Sequence, residues 1–275
     1  MYDFYFGEKK QIFEDEKNYL LTVKRMMPRW CNSIPDSEFL ALYDDLLNSN
    51  IVNSESKGVI VETGCGSSTI VLAYFAFKYA KKLYTWDLNQ NKLAYIRSIL
   101  LDTHQKVLAT SLHNHWTYIG YLSTSKDLGI SILQEKEEQI DFAFFDSEHT
   151  SEVLTQELEL SLKLSRNEAV FALDDANYRY RYNNTAYINV FRKKLGLSPI
   201  EEAQDNIGPY FYELAEEMIK KTFPNSKKIK DTYKTTFKDD IFWNYFSNDR
   251  AIMNSLGMEK MKELEHRYDS FRILK

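Results

Sequence analysis

The spacing of apolar residues divides the chain into two parts. In the first 57 residues the apolar positions recur at helical spacing. A segment after Pro35 carries five of them on one helical face: Phe39, Leu40, Tyr43, Leu46 and Leu47. From Gly58 onward, short β-branched or aromatic runs alternate with helical segments. The pattern predicts an N-terminal helical cap followed by a domain of alternating strands and helices.

Five strands and four helices are predicted within the alternating part. The strands are VIVET (59–63), LYTWD (83–87), WTYIGYL (116–122), DFAFFD (141–146) and AVFALDD (169–175). The helices are STIVLAYFAFKYAKK (68–82), QNKLAYIRSILLDT (90–103), SKDLGISILQEKEE (125–138) and SEVLTQELELSLKLS (151–165). Such alternation indicates parallel βαβ units, so we expect an α/β fold with a doubly wound, mostly parallel, Rossmann-like sheet.

The last 75 residues are predicted to add a helix over 201–221, a strand IFWNYF (241–246) and a helix over 251–271. The expected organisation is a cap over 1–57, one large domain over 58–250 and a helical tail over 251–275.

Acidic residues stand where the predicted strands end. Glu62, Asp87 and Asp146 follow three of the strands, and Asp174 with Asp175 follows a fourth. Ligands of doubly wound sheets bind beyond the carboxyl ends of the strands. The sequence therefore predicts a site lined by these acids.

The turn after the first strand, TGCGSST, contains two glycines. A phosphate-binding loop would need a lysine after Gly66, and a dinucleotide-binding loop would need a third glycine where Thr69 stands. Glu62 would repel a pyrophosphate but suits a ligand with an ammonium group and no phosphate, such as S-adenosylmethionine. Gly64 and Gly66 would let the backbone approach the nucleoside. A glycine turn that binds no ligand is the alternative.

Asp87 lies 21 residues after Gly66. This spacing is close to the ~20 residues at which an acid reaches ribose hydroxyls in nucleoside-binding βαβ units. The alternative is that Asp87 is the N-cap of the following helix.

The acids of the fourth and fifth strands form a candidate metal site. Asp146, Asp174 and Asp175 would repel one another unless a cation lay among them, and Mg²⁺ prefers such oxygen ligands. They could instead cap the helices that follow. His149 is a candidate general base because its ordinary pKa of ~6.5 suits proton removal near neutrality. It could equally be a histidine bonded to backbone in a first helical turn.

Composition narrows the class of partner. The formal net charge of -5 argues against a nucleic-acid partner. Two cysteines make no disulfide framework, the N-terminus lacks a signal-peptide pattern, and no apolar run reaches the ~20 residues that cross a bilayer. We therefore expect a cytoplasmic protein with no membrane partner. Homo-oligomerisation is left open.

Three segments together resemble the class I S-adenosylmethionine-dependent methyltransferases over about residues 55–195. They are VETGCGSST, LYTWD, and the stretch from FAFFDSEHT to FALDD. The last is similar to the branch of macrocin-type sugar and catechol-type O-methyltransferases. The segment SRNEAV departs from this branch, which usually has a proline and glycine turn there.

The resemblance implies a role for each matching residue. It implies a methyltransferase sheet that binds the methionine end of the cofactor through Glu62, Gly64 and Gly66, and Cys65, Ser67 and Ser68 are further predicted cofactor-binding residues. It implies ribose binding by Asp87, adenine contacts near Ser123 and Ser125, a further cofactor contact and a catalytic role for Asp146, and Mg²⁺ at Asp146, Asp174 and Asp175.

The function predicted from the sequence is Mg²⁺-dependent O-methylation of a small hydroxylated metabolite, with a sugar or polyol favoured, and with His149 or another base taking the proton. A tyrosine-rich segment, NYRYRYNNTAY (177–187), could form a wall of the acceptor site whose rings stack on a sugar or an arene, or it could be an ordinary amphipathic surface segment. Two alternatives remain: methylation without metal, and an inactive nucleoside-binding or assembly protein of the same fold.

Overall fold

A computed structural model describes residues 14–148, 150–176, 209–230 and 268–275, together with Lys193, Gly196 and Ser198. Its centre is a seven-stranded sheet in the order β3-β2-β1-β4-β5-β7-β6. The strands are β1 (Val59–Thr63), β2 (Leu83–Trp86), β3 (Trp116–Ile119), β4 (Ile140–Phe145), β5 (Ser165–Leu173), β6 (Lys227–Lys230) and β7 (Asp269–Arg272). Strands β1 to β5 are parallel, whereas β7 pairs antiparallel with both β5 and β6. The predicted α/β, mostly parallel sheet is confirmed.

Helices cover both faces of this sheet. They are α1 (Glu16–Arg25), α2 (Asp36–Leu47), α3 (Ser68–Lys78), α4 (Gln90–Asp102), α5 (His104–Leu108), α6 (Leu112–His115), α7 (Ile132–Glu135), α8 (Ser151–Leu164) and α9 (Phe211–Thr222). Every residue of β1 and β4 is buried, which explains why these strands are continuous apolar runs without alternation.

The two N-terminal helices pack on α3, the helix that follows the glycine turn. The Tyr19 hydroxyl lies 2.8 Å from Nδ1 of the buried His104, and Tyr43 meets Phe75 edge to face at 5.3 Å. Between the helices, the carbonyl of Cys31 lies beside Gly66, 3.4 Å from where a Cβ would stand. The cap therefore reaches the loop on which a cofactor site is predicted.

Two predicted helices are wrong in part. The helix over 125–138 shrinks to α7, because Gly129 and Ile130 turn back to bond the carbonyls of Ser125 and Ser123. The tail helix is replaced over Asp269–Arg272 by β7, which the sheet buries on both faces. A strand buried in this way has no alternation to distinguish it from a helix.

Several predicted segments lie outside the described residues. They are the strand IFWNYF (241–246), the tyrosine-rich segment over 177–187, and the tail up to residue 267. Among the helices that the structure does describe, none is both long and apolar enough to cross a bilayer.

Candidate active site at the strand ends

The glycine turn after β1 is wedged between the ends of the neighbouring strands. Gly64 has φ +93° and donates its N–H to the carbonyl of Trp86 at the end of β2, 2.8 Å away. On its other side, a Cβ at this position would lie 1.8 Å from the carbonyl oxygen of Asp146, just after β4. Only a residue without a side chain fits here, so the turn is held against both strands.

Glu62 stands behind this turn and is fully buried. Its carboxylate accepts hydrogen bonds from the hydroxyls of Ser68 at 2.7 Å, Thr69 at 2.9 Å and Thr85 at 2.7 Å. The Thr69 hydroxyl in turn accepts the N–H of Gly66 at 3.0 Å. Burial raises the pKa of Glu62 to about 7, although the three hydroxyl bonds act in the opposite direction. In the structure Glu62 therefore ties the turn to α3 and β2, and its predicted contact with the cofactor ammonium stays a prediction.

Asp87 lies across the turn, at the end of β2. Its Oδ2 accepts the N–H of Cys65 at 2.9 Å, and its Oδ1 accepts the N–H of Asn89 at 2.6 Å. The N-cap of α4 is Asn89 and not Asp87, since the Asn89 side chain accepts the N–H groups of Asn91 and Lys92. Asp87 is thus held at the turn by backbone donors, and its predicted binding of ribose hydroxyls stays a prediction.

The three strand ends open into one cleft of about 290 Å³. This volume is near the lower limit of roughly 300 Å³ for small-molecule sites. Of the residues predicted from the sequence, four line the cleft: Gly64, Asp87, Ser123 and Asp146. The turn of β1, the end of β2, the loop after β3 and the end of β4 therefore meet at one place.

The other predicted cofactor residues lie beside the cleft. Cys65 and Ser68 are buried and are bonded to Asp87 and Glu62. The buried Ser67 hydroxyl has no hydrogen-bond partner within the described chain, and its predicted contact with the cofactor stays a prediction. Ser125 holds the loop after β3 by accepting the N–H of Gly129 at 2.9 Å.

Apolar side chains on the cleft wall were missed by the sequence analysis. Leu88 is 61% exposed, and Tyr121 and Leu122 are each about half exposed, although all three are large and apolar. Leu88 comes just after the acid that ends the second predicted strand, and Tyr121 and Leu122 are the last two residues of the third. Exposed apolar residues at a cleft indicate a ligand with a flat apolar part. The signal in the sequence that identifies Leu88 is its position next to Asp87, an acid at a strand end.

The predicted metal ligands do not form a metal centre. Among the described residues, no three His, Cys, Asp or Glu side chains are grouped so that they could hold a metal ion. Asp174 uses its Oδ1 to accept the N–H of Asp175, 2.8 Å away, and Asp175 has φ +48°. Thr150 caps α8, so Asp146 does not serve as that cap. His149 lies outside the described residues.

Comparisons with known proteins agree with this geometry. Residues 61–176 match a family described as a methyltransferase domain. The O-methyltransferase TomG of Streptomyces achromogenes, which is involved in tomaymycin synthesis and was solved with S-adenosylmethionine, is 13% identical; the match covers 95% of this chain and 90% of that chain, with a TM-score of 0.51. An O-methyltransferase of Bacillus cereus solved with S-adenosylhomocysteine is 15% identical over 100% of both chains, with a TM-score of 0.49. No curated protein matches the sequence.

The matched residues run from within β1 to just after β5 and include the strand ends that build the cleft. The likeness to the Streptomyces enzyme shows the fold at this low identity. Residues 61–176, which are less than half of the chain, are therefore similar to a methyltransferase domain family.

Proposed function

We propose that the chain transfers the methyl group of S-adenosylmethionine to a hydroxyl of a small-molecule acceptor, with a sugar or polyol favoured. The observation that carries the proposal is that Gly64, Asp87 and Asp146, from the ends of three strands, line one cleft. The net charge of -5 and the three acids of the cleft disfavour a polyanionic acceptor such as RNA.

Several groups of the protein at this cleft are complementary to groups of the cofactor. The Asp87 carboxylate is placed for the ribose hydroxyls, and Leu88 and Tyr121 give apolar surface to the adenine. We assign the buried Ser67 hydroxyl, in the turn beside the cleft, to the methionine carboxylate. Gly64 lets the turn lie directly against the carbonyl of Asp146 after β4. In this arrangement the sulfonium lies near the end of β4.

The transfer itself is a direct displacement. The acceptor oxygen forms a bond to the methyl carbon while the carbon–sulfur bond breaks and its electron pair stays on sulfur, giving S-adenosylhomocysteine. A base removes the hydroxyl proton; Asp146 is the described candidate, and His149 stays a prediction. Such a reaction depends mainly on holding two reactants in line and excluding water, so no covalent enzyme intermediate is needed.

Calorimetric titration with S-adenosylmethionine tests the cofactor assignment. We expect saturable binding by the wild type and roughly 10–100-fold weaker binding by Asp87→Asn, because an interaction worth about 1.5–3 kcal/mol for a charged acceptor is lost. Glu159→Gln, which changes an exposed acid on α8, is the control and should bind like the wild type. Absence of binding to the folded wild type would reject the proposal.

The Mg²⁺ requirement predicted from the sequence is tested separately. The described donors do not fit a Mg²⁺ site, since Asp174 bonds to the neighbouring backbone and no three-ligand group is present among them. We therefore assign no step of the transfer to a metal, and we expect turnover to persist in excess EDTA. The measurement is release of S-adenosylhomocysteine over a panel of sugars, polyols and catechols, with and without EDTA. Turnover that EDTA abolishes and added Mg²⁺ restores would contradict this expectation and support the predicted metal.

A further inference from the structure

Among the described residues that line the cleft, one, Lys92, is basic, and the other charged residues are acids. Its ammonium lies 3.3 Å from Oδ2 of Asp87, and its side chain is 28% exposed. The acids of the cleft are Asp87, Asp146 and Glu148. Burial acts to lower the pKa of Lys92, but the negative charges of Asp87 and Asp146 outweigh it and raise the pKa. Lys92 is therefore a cation between two of the strand-end carboxylates.

Local structure does not account for a lysine at this position. Lys92 lies in the first turn of α4, where the helix dipole disfavours a positive charge. The cap of α4 is supplied by Asn89. Asp87 is already oriented by the N–H groups of Cys65 and Asn89. The contact of 3.3 Å is also longer than the 2.7–2.9 Å usual for an ammonium and a carboxylate. A role for Lys92 has to be sought in the cleft.

The reaction changes the charge of the cofactor. S-adenosylmethionine carries a permanent positive charge on sulfur, and S-adenosylhomocysteine does not. The acids that line the cleft would stabilise the cationic donor more than the transition state, in which the charge on sulfur is already falling. Binding that is stronger in the ground state than in the transition state does not accelerate the reaction. A cation among these acids reduces the extra stabilisation of the donor relative to the transition state.

We propose that Lys92 is a specificity-determining residue that limits the preference of this cleft for the cationic methyl donor over its neutral product. The inference rests on the proposed occupation of the cleft by S-adenosylmethionine. Its ammonium offsets the field of Asp87 and Asp146, so that the acids still position the cofactor through hydrogen bonds without binding the sulfonium charge too tightly.

The test is the ratio of two dissociation constants, for S-adenosylmethionine and S-adenosylhomocysteine, measured by calorimetry on the whole chain. In Lys92→Met the ratio of donor to product constants should fall on the order of tenfold, the size expected for a unit charge near the cofactor at an effective dielectric constant of ~20 with partial screening by salt. Lys92→Arg keeps the charge and should keep the wild-type ratio. Lys106→Met removes a lysine paired with Asp102 outside the cleft, and should also keep it.

The outcomes distinguish a failure of the proposed function from a failure of the role assigned to Lys92. A wild type that binds neither ligand rejects the proposed function itself. If the wild type binds both and Lys92→Met keeps the ratio, or weakens both ligands equally, Lys92 has only a structural role and the inference is wrong. Thermal melting of each variant without ligand shows whether it is folded, and salt should reduce the difference between wild type and Lys92→Met.

Discussion

Gly64→Ala is expected to lower the free energy of unfolding by about 3 kcal/mol or more, and to abolish measurable binding of S-adenosylmethionine. The positive φ of +93° costs an L-residue roughly 1–2 kcal/mol. The added Cβ would also lie 1.8 Å from the carbonyl oxygen of Asp146. Because this oxygen belongs to the backbone, β1 or β4 must shift, and the cleft between them changes shape. Losses of this size are exceptional for one methyl group.

Gly196→Ala is the matched control. Gly196 also has a positive φ, +70°, but no atom of the described residues lies within 4 Å of where its Cβ would stand. It should therefore show the backbone cost alone. Chemical denaturation gives both free energies, and calorimetry gives cofactor binding. Equal losses in the two variants would show that the contact with Asp146 is unimportant.

The glycine turn illustrates what the sequence could predict. Two glycines after an apolar run, and an acid about 20 residues later, place Gly64 and Asp87 at adjacent strand ends for any parallel βαβ unit. Both line the cleft in the structure. The same reasoning found Asp146 because it follows a strand that is buried throughout.

Which way a strand residue points was not predictable in the same manner. In a strand with one solvated face, alternation shows the direction of each side chain, but β1 is buried on both faces. Glu62 could have faced the ligand or the helix, and only the three hydroxyls around it show that it is bonded to α3 and β2. Tertiary packing therefore determines the face of the sheet on which the Glu62 side chain lies.

Long-range packing also explains the other differences. Lys92 looks like an ordinary lysine of an amphipathic helix, and only the fold brings it near Asp146. Strand β7 pairs with β5, which lies about 100 residues earlier in the chain. The sequence predicts that the strand ends converge, but it does not give the distances between the carboxylates there. Three carboxylates at converging strand ends therefore do not by themselves make a metal centre.

Glu62→Gln is expected to remove about 3 kcal/mol of pH dependence from the stability of the protein between pH 4.5 and 7. The pKa of Glu62 is raised from 4.5 to about 7 in the folded state. The folded chain therefore holds a proton that the unfolded chain releases, so the stabilisation is fully present below about pH 4.5 and is lost as the pH rises through about 7. A shift of about 2.5 pKa units corresponds to about 3 kcal/mol.

The glutamine variant keeps the shape of the side chain and removes the titration. The amide oxygen of the glutamine can accept a hydrogen bond from one of the hydroxyls of Ser68, Thr69 and Thr85. The other hydroxyls can rotate to accept hydrogen bonds from the amide N–H groups. Relative to the wild type, the variant should therefore gain stability as the pH rises from 5 to 8. Denaturation at several pH values measures this difference, with Glu159→Gln as the exposed control. Parallel pH profiles for wild type and Glu62→Gln would mean that the buried carboxyl does not titrate in this range, and that the hydroxyls around it hold the anion after all.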